Sequence, residues 1–376
     1  MDCRTDRSKP ASRLIQKHWP VDGMAYSHRP HIAASLTSYK AWAGDSAVTL
    51  VVTRSTVRNV MTLNVVAKRL IIDKIELSMR YEEGNFEAAN ITEYLLRHEF
   101  VNAGMAFQVP RQRYPNNRLP PYAVYIPLCR EHGQYLYVEC GMARNRRGTQ
   151  TAYVKFGFNP SRLLVNEIAQ SRLKRVLIDI IPSGGHLELL EDGKVLYAEF
   201  STDYWGVRSE SIDAYSPRLE HSLYFPDSGA IKTIVLHDDK AGRPEQICVY
   251  DKKASDWDRF RHLRRGMIVR VEAKRRFNRT PNTRRLRLRD LPGIENPFAS
   301  VRIYDRELIA NTFTAKRHAT FLAQAQCRGV HAALSGTRGA DRIRRERMLE
   351  HCEVSWWNPG DAWRGALDAV NRVLQL

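Results

Sequence analysis

Short runs in which hydrophobic and polar positions alternate recur between residues 70 and 273. Because successive side chains of a strand point to opposite faces, each run predicts a strand with one buried face. The step from Asn159 to Pro160 ends one run and starts a turn, since proline cannot continue a strand ladder. The strands predicted in this way are Leu70–Met79, Tyr122–Ile126, Gln134–Cys140, Thr151–Phe158, Val195–Thr202, Ser222–Phe225, Thr233–His237, Gln246–Tyr250 and Met267–Ala273.

Helical periodicity lies between some of these strands, at Ile91–Phe100, Pro160–Leu173 and Arg208–Ala214. Strands interleaved with helices, without a regular βαβ repeat, predict an α+β fold with a mainly antiparallel sheet and flanking helices. We place this α+β domain at residues 67–310. Residues 1–66 mix proline, serine and arginine and are predicted to be a weakly ordered N-terminal extension.

The pattern becomes helical from Asn311 onward. This region is predicted to be a small C-terminal helical domain, residues 311–376, with Trp356, Trp357 and Trp363 in its core. Its predicted helices are Lys316–Leu334, Gly339–His351 and Asp361–Leu376.

Composition limits the compartment. The chain has 376 residues, of which 43% are hydrophobic and 27% are charged. No run approaches the roughly 18 apolar residues that a membrane span needs, and the N-terminus has no apolar signal-peptide core. Six cysteines without a C-x-x-C pair fit a reducing compartment. We therefore expect a cytoplasmic protein with no membrane partner.

The net charge of +18 is unevenly distributed. Between Lys252 and Arg289, fifteen lysines and arginines accompany only three acids. Such a concentrated basic segment indicates a polyanionic partner, here nucleic acid, although phosphate contacts alone do not specify a sequence. The predicted DNA-binding side chains are Arg259, Arg261, Arg264, Arg265, Arg270, Lys274, Arg275, Arg276, Arg284, Arg285 and Arg287.

Tyr250 ends a predicted strand and is followed by Asp251 and Lys252. A tyrosine hydroxyl can attack a phosphodiester and form a phosphotyrosine link. Its ordinary pKa of about 10 makes it a weak nucleophile at neutral pH, so it needs a nearby cation. Lys252 is the predicted side chain for that role. The alternative is that Tyr250 is one of sixteen tyrosines and only packs at a strand end.

Three carboxylates are candidates for binding Mg²⁺ or Mn²⁺, which prefer oxygen ligands. Glu272 lies on the polar face of a basic strand, where the alternative role is a salt bridge. Glu199 and Asp203 share a strand face but are separated by roughly 13 Å along a straight strand. They should therefore not both bind one ion, and we favour Asp203.

Five segments in this order resemble the rolling-circle replication initiators of small plasmids and filamentous phages, of the trans-acting Rep type. The resemblance covers about residues 70–360, and each motif is short, so its specificity comes from their order. Glu199 stands where the family has aspartate, and Ser255 stands where it often has glutamate. The segments are Phe158–Leu163 (FNPSRL), the acids Glu199 and Asp203, Tyr250-Asp251-Lys252, Arg270-Val271-Glu272 and Asn296-Pro297-Phe298-Ala299.

The resemblance implies that Tyr250 nicks and religates one strand at a replication origin through a 5′-phosphotyrosine intermediate, with Glu272 and one upstream acid binding the metal. Its implied partners are the double-stranded origin, single-stranded DNA, and the host helicase and polymerase, with a homodimer left open. Two alternatives stay open: a non-catalytic DNA-binding regulator on the same scaffold, and a relaxase or transposase with the same chemistry. Tyr304, in a Tyr-Asp-Arg sequence, is a rival nucleophile.

Overall fold

A computed structural model describes most of the chain from the first strand onward. The predicted helix Ile91–Phe100 lies outside the described residues. The described residues are 37–43, 46–57, 60–81, 106–108, 122–130, 133–144, 150–181, 185–224, 233–237, 245–252, 268–277 and 286–375.

The fold is α+β with a large antiparallel sheet, which confirms the predicted fold class. The strands are β1 (Thr37–Ala43), β2 (Ser46–Val57), β3 (Val60–Tyr81), β4 (Ala106–Gln108), β5 (Tyr122–Cys129), β6 (Gln134–Arg144), β7 (Gln150–Phe158), β8 (Lys194–Trp205), β9 (Ile212–Tyr215), β10 (Glu220–Tyr224), β11 (Thr233–His237), β12 (Glu245–Asp251), β13 (Ile268–Arg276) and β14 (Arg302–Asp305).

Twelve of these strands form one sheet, in which ten follow the order β10-β11-β12-β13-β8-β3-β7-β6-β5-β4. Strand β3 pairs with β8 along one edge. Along its other edge the first half of β3 pairs with β2 and the second half with β7, and β1 pairs with β2. Strands β9 and β14 form a separate two-stranded sheet.

Helices pack against both sheets, and the first three and the last of them cover one face of the large sheet. They are α1 (Pro160–Leu163), α2 (Glu167–Ile180), α3 (Gly185–Asp192), α4 (Arg306–Thr312), α5 (Ala319–Ser335), α6 (Gly339–Glu350) and α7 (Pro359–Leu374). The predicted helix Pro160–Leu173 is two helices, because the side chain of Asn166 accepts a hydrogen bond from the backbone N–H of Ala169 and caps a new helix. In the part of the chain described, no helix is long and apolar enough to cross a membrane.

The C-terminal helix packs on the sheet instead of forming a core of its own. The ring of Trp363 meets Phe200 of β8 edge-on at 5.0 Å, and Trp356 lies 4.5 Å from Tyr204. All described residues belong to one compact unit, Leu36–Leu376. Strand β3 runs through residue 66, and α7 completes the core of the large sheet.

A second, smaller core lies where β9 and β14 meet α4, α5 and α6. The helix predicted at Arg208–Ala214 is wrong. A single turn of 3₁₀ helix at Ser209–Ser211 leads into strand β9, whose four residues are all buried. This strand forms because its backbone pairs with Arg302–Asp305, a partner that is remote in sequence.

Candidate active site on the outer face of the sheet

The face of the large sheet opposite the helices, called the outer face below, carries the predicted catalytic residues. In the registers of β12, β13 and β8, Tyr250 lies opposite Arg270, and Arg270 lies opposite Asp203. One row further, Cys248 lies opposite Glu272, which lies opposite Ser201. Because directly opposed residues share a face, three segments that are far apart in sequence meet in two adjacent rows.

Arg270 is the centre of a buried ion-pair network. Its Nε and Nη2 atoms donate to the two carboxylate oxygens of Asp203 at 2.6 and 2.8 Å, and its Nη1 donates to Asp73. Asp73 also accepts a hydrogen bond of 3.2 Å from the side-chain amide of Asn159, in the FNPSRL segment. Only 2% of the surface of Arg270 is exposed. The sequence predicts Arg270 as a DNA contact, but its burial and its paired guanidinium place it inside the protein.

Asp73 belongs to this ion-pair network and is a candidate-site residue that the sequence did not predict. It lies at an irregularity in β3, where the pairing with β8 shifts between Ile72 and Lys74. Such a bulge redirects one side chain out of the regular alternation. The adjacent polar residues Asp73 and Lys74, placed between Ile72 and Ile75, are the signal that could have revealed it.

Glu272 links this network to Tyr250. The Tyr250 hydroxyl donates to Oε2 of Glu272 at 3.1 Å, and Nζ of Lys274 lies 3.0 Å from Oε1. The hydroxyl of Ser201 is 3.5 Å from the same Oε2, and Nη1 of Arg270 is 4.0 Å away from it. Glu272 is thus a buried acceptor between the tyrosine and two cations.

The environment of Tyr250 opposes ionisation of its hydroxyl. Burial, and then the negative charge of Glu272, raise the pKa of Tyr250 far above its usual range. Nζ of Lys252 lies 5.9 Å from the centre of the Tyr250 ring. The predicted proximity of Lys252 and Tyr250 is therefore present, but the phenol remains protonated near neutral pH unless its proton is transferred as it reacts.

Glu199 stands one row further along β8, opposite Lys274. It accepts a hydrogen bond from Tyr197, and burial together with repulsion from Glu272 raises its pKa. Two mutually repelling carboxylates, Glu199 and Glu272, fit a divalent cation, which would relieve that repulsion. Arg270 holds both oxygens of Asp203. Lys274 and Tyr250 hold the two oxygens of Glu272, so at either carboxylate an ion would have to displace one of these partners. Among the described residues, no group of three or more His, Cys, Asp or Glu side chains is arranged to hold a metal ion.

The other predicted DNA contacts have varied positions. Burial by itself would lower the pKa of Lys274. The nearby negative charge of Glu272 outweighs this effect, and the pKa of Lys274 is raised. Arg275 donates to the backbone oxygen of Glu295, and Arg287 pairs with Asp192 at 2.8 Å. Arg276 is exposed. Ser255 lies outside the described residues. So do the remaining predicted contacts, which are Arg259, Arg261, Arg264, Arg265, Arg284 and Arg285.

Two further sequence candidates have structural roles. In the N-P-F-A segment, Phe298 is fully buried and meets Trp357 edge-on at 5.8 Å, while the Asn296 amide donates to the backbone oxygen of Pro359 at the start of α7. The rival nucleophile Tyr304 belongs to the second core and is 1% exposed. Burial raises the pKa of Tyr304, as it does that of Tyr250, but Tyr304 is enclosed in this core, so its hydroxyl is not accessible to a DNA strand.

Comparison with known proteins adds little. No protein-family model matches the chain, and no curated protein matches it. One solved structure with a weak likeness is the di-domain ARO/CYC protein StfQ from the steffimycin biosynthetic pathway. It is 8% identical, the match covers 69% of this chain and 77% of that chain, and the TM-score is 0.14. A likeness of this size carries no argument about fold or function.

Proposed function

We propose that this protein nicks and religates one DNA strand at a replication origin and so starts rolling-circle replication. The observation that carries the proposal is the hydrogen bond of 3.1 Å from the Tyr250 hydroxyl to Glu272. A potential nucleophile beside a carboxylate that can take its proton is the arrangement nucleophilic catalysis requires. The buried cation Arg270 holds the surrounding acids in place.

In the proposed step, the Tyr250 oxygen attacks the phosphorus atom of a phosphodiester while its proton moves to Oε2 of Glu272. The bond from phosphorus to the 3′ oxygen breaks, and that oxygen takes up a proton from solvent water. The products are a 5′-phosphotyrosyl link and a free 3′-hydroxyl that a host polymerase could extend. Religation reverses these steps with a second 3′-hydroxyl.

A divalent ion such as Mg²⁺ or Mn²⁺, held by Glu272 and Glu199, would supply charge stabilisation at the phosphate. The protein's own cations contribute as well. Lys274, with its Nζ at 3.0 Å from Oε1 of Glu272, offsets the negative charge of that carboxylate. Lys252 lies beside the Tyr250 ring, where its charge favours the developing phenolate.

The test is covalent adduct formation with full-length protein. Purified protein is incubated with DNA from the replicon that encodes it and with Mg²⁺ or Mn²⁺, and adducts are resolved on a denaturing gel. We expect an adduct with the wild type and with Tyr304→Phe, a matched control at the rival tyrosine, but none with Tyr250→Phe. An adduct that persists in Tyr250→Phe, or no adduct with the wild type, would overturn the proposal.

A second candidate is a non-catalytic regulator that binds duplex DNA. The segment from Lys316 to Glu350, which includes α5 and α6, contains eight lysines and arginines and three acids. Helix α6 buries only Leu349 and is otherwise largely accessible. A regulator would bind DNA with a steep dependence on salt but without metal dependence and without a nick. For either function we propose a cytoplasmic location, with origin DNA, host helicase and polymerase as partners of the initiator and a homodimer left open.

A further inference from the structure

The outer face of the sheet is rich in tyrosine. Directly opposed residues share a face, and alternate residues of a strand do so too, which places six tyrosines on this one surface. Two of them, on strands β5 and β6 and so several strands away from Tyr250, are the most exposed: Tyr125 and Tyr135 expose 43% and 39% of their surface. The six are Tyr125, Tyr135, Tyr137, Tyr153, Tyr197 and Tyr250.

Three of these tyrosines lie in a row of directly opposed residues that crosses six strands, called the tyrosine row below. In order across the sheet, the row consists of Tyr125, Tyr137, Gly157, Glu76, Tyr197 and Arg276. Four strand spacings separate Tyr125 from Tyr197, a distance of about 19 Å. Gly157 contributes no side chain to the row and is buried beneath Tyr137 and Glu76, whose side-chain atoms lie 3.5 and 3.7 Å from where its Cβ would be.

The rings of the tyrosine row are held in place by their neighbours. The rings of Tyr125 and Tyr137 lie 5.2 Å apart at 53°. The Tyr137 hydroxyl donates to buried Glu139 at 2.5 Å, which fixes one end of its ring. Nζ of Lys155 lies 5.6 Å from the centre of the Tyr137 ring. Two more cations lie near the Tyr197 ring, Lys74 at 5.4 Å and Arg276 at 5.6 Å.

The charge of this surface is nearly balanced. Glu76 pairs with Lys74 at 2.8 Å and with Lys155 at 3.1 Å. A ligand that binds here must therefore gain more from the rings than from net charge. Bases of single-stranded nucleic acid suit such a surface, since every base has a flat face that can stack on an aromatic ring. In a duplex those faces are already stacked on one another.

We propose that the tyrosine row is a stacking platform for single-stranded DNA, which runs from the exposed Tyr125 end across Tyr137 and Tyr197 toward Tyr250. The identity of the ligand rests on the proposed nicking function, because a strand must be single to reach Tyr250. The span of about 19 Å accommodates several nucleotides, within the range of known single-strand sites. The platform holds the strand beside the scissile phosphate, so its rings are positioning residues.

The experiment measures binding of a fluorescein-labelled oligothymidylate of about 16 nucleotides to the full chain by fluorescence polarisation, without metal. We expect Tyr125→Ala and Tyr137→Ala each to weaken binding at least about fivefold, the lower end of what one stacked base contributes. Tyr125→Phe keeps the ring and should bind as the wild type does. Ile168→Ala, a matched control at a residue of α2 that is 74% exposed on the helical side, should leave binding unchanged. Thermal unfolding of each variant verifies that it folds.

The outcomes separate this inference from the proposed function. Tyr250→Phe should lose the covalent adduct and keep its affinity for the oligonucleotide. If folded Tyr125→Ala and Tyr137→Ala bind as the wild type does, or if Tyr125→Phe weakens binding as much as Tyr125→Ala, the platform is refuted, whether or not the adduct forms. If both alanine variants weaken binding but the wild type forms no adduct, the platform stands and the nicking function fails.

Discussion

Replacing Arg270 by methionine should destabilise the protein severely and not merely weaken its binding to DNA. Methionine keeps much of the volume and removes the guanidinium. Two carboxylates then lose their partner, and Asp203, of which 2% is exposed, has no water to replace it. Asp73 is more accessible, with 20% of its side chain exposed, so its penalty is smaller because water screens it.

The magnitude follows from the burial of the pair. Removing one partner of a buried ion pair typically costs about 3–5 kcal/mol, because the remaining charge stays buried and unpaired. The two hydrogen bonds of 2.6 and 2.8 Å to Asp203 place Arg270 in this class. With an m-value of about 3 kcal/mol/M in urea, the unfolding midpoint should fall by about 1–2 M. Arg270→Lys keeps the charge but not the planar guanidinium fork, so its unfolding midpoint should lie between those of the wild type and Arg270→Met.

Urea unfolding followed by far-UV circular dichroism is the assay, with Arg276→Met as the matched control in the same strand. Arg276 is exposed and its loss should cost less than about 1 kcal/mol. The sequence-based prediction makes the opposite forecast. If Arg270 contacted a phosphate, Arg270→Met would leave stability within about 0.5 kcal/mol of wild type and reduce the salt slope of DNA binding by about 1. That result would refute the reasoning.

Two other predictions concern pH and the C-terminal helix. Burial raises the pKa of Asp213, in strand β9, from 3.8 to about 6. Between about pH 4 and 6 the folded state therefore holds a proton that the unfolded chain has released. The free energy of unfolding should fall by about 3 kcal/mol as pH rises through this window. Urea unfolding across this range should show the loss in the wild type and not in Asp213→Asn; equal pH dependence in both would contradict the assignment. Trp363→Ala should cost about 3–5 kcal/mol and lower the single unfolding transition of sheet and helices together, whereas a separate transition for the C-terminal helices would contradict their place in the sheet core.

The alternating pattern of the chain was sufficient to predict most strands of the described sheet. A strand with one buried face is recognisable from its own sequence, because every second side chain must be apolar. Gln134–Cys140 and Thr233–His237 are examples, and both lie within observed strands. The helices Gly339–His351 and Asp361–Leu376 were also predicted to within two residues at each end, since their periodicity is equally local.

The local sequence did not predict strand β9 or the surface against which α7 packs. The four residues of β9 are all buried and too few to form a distinctive pattern, and their pairing partner is some ninety residues away in β14. The sequence pattern of α7 predicted an apolar face without revealing what it covers. Only the structure places Trp363 against Phe200 and so joins the predicted helical domain to the sheet.

The sequence by itself determined the kinds of residue available for chemistry, a tyrosine, acids and cations in short polar strand faces. The tertiary structure decided which of them meet. Antiparallel register places Tyr250 two residue pairs from Glu272 on the same face and sets Arg270 opposite Asp203, while a bulge in β3 adds Asp73. Burial then changed the role of Arg270 from a predicted DNA contact to an internal counter-charge. The physical reason is that side-chain periodicity is encoded locally, whereas register and burial depend on strands that are distant in the chain.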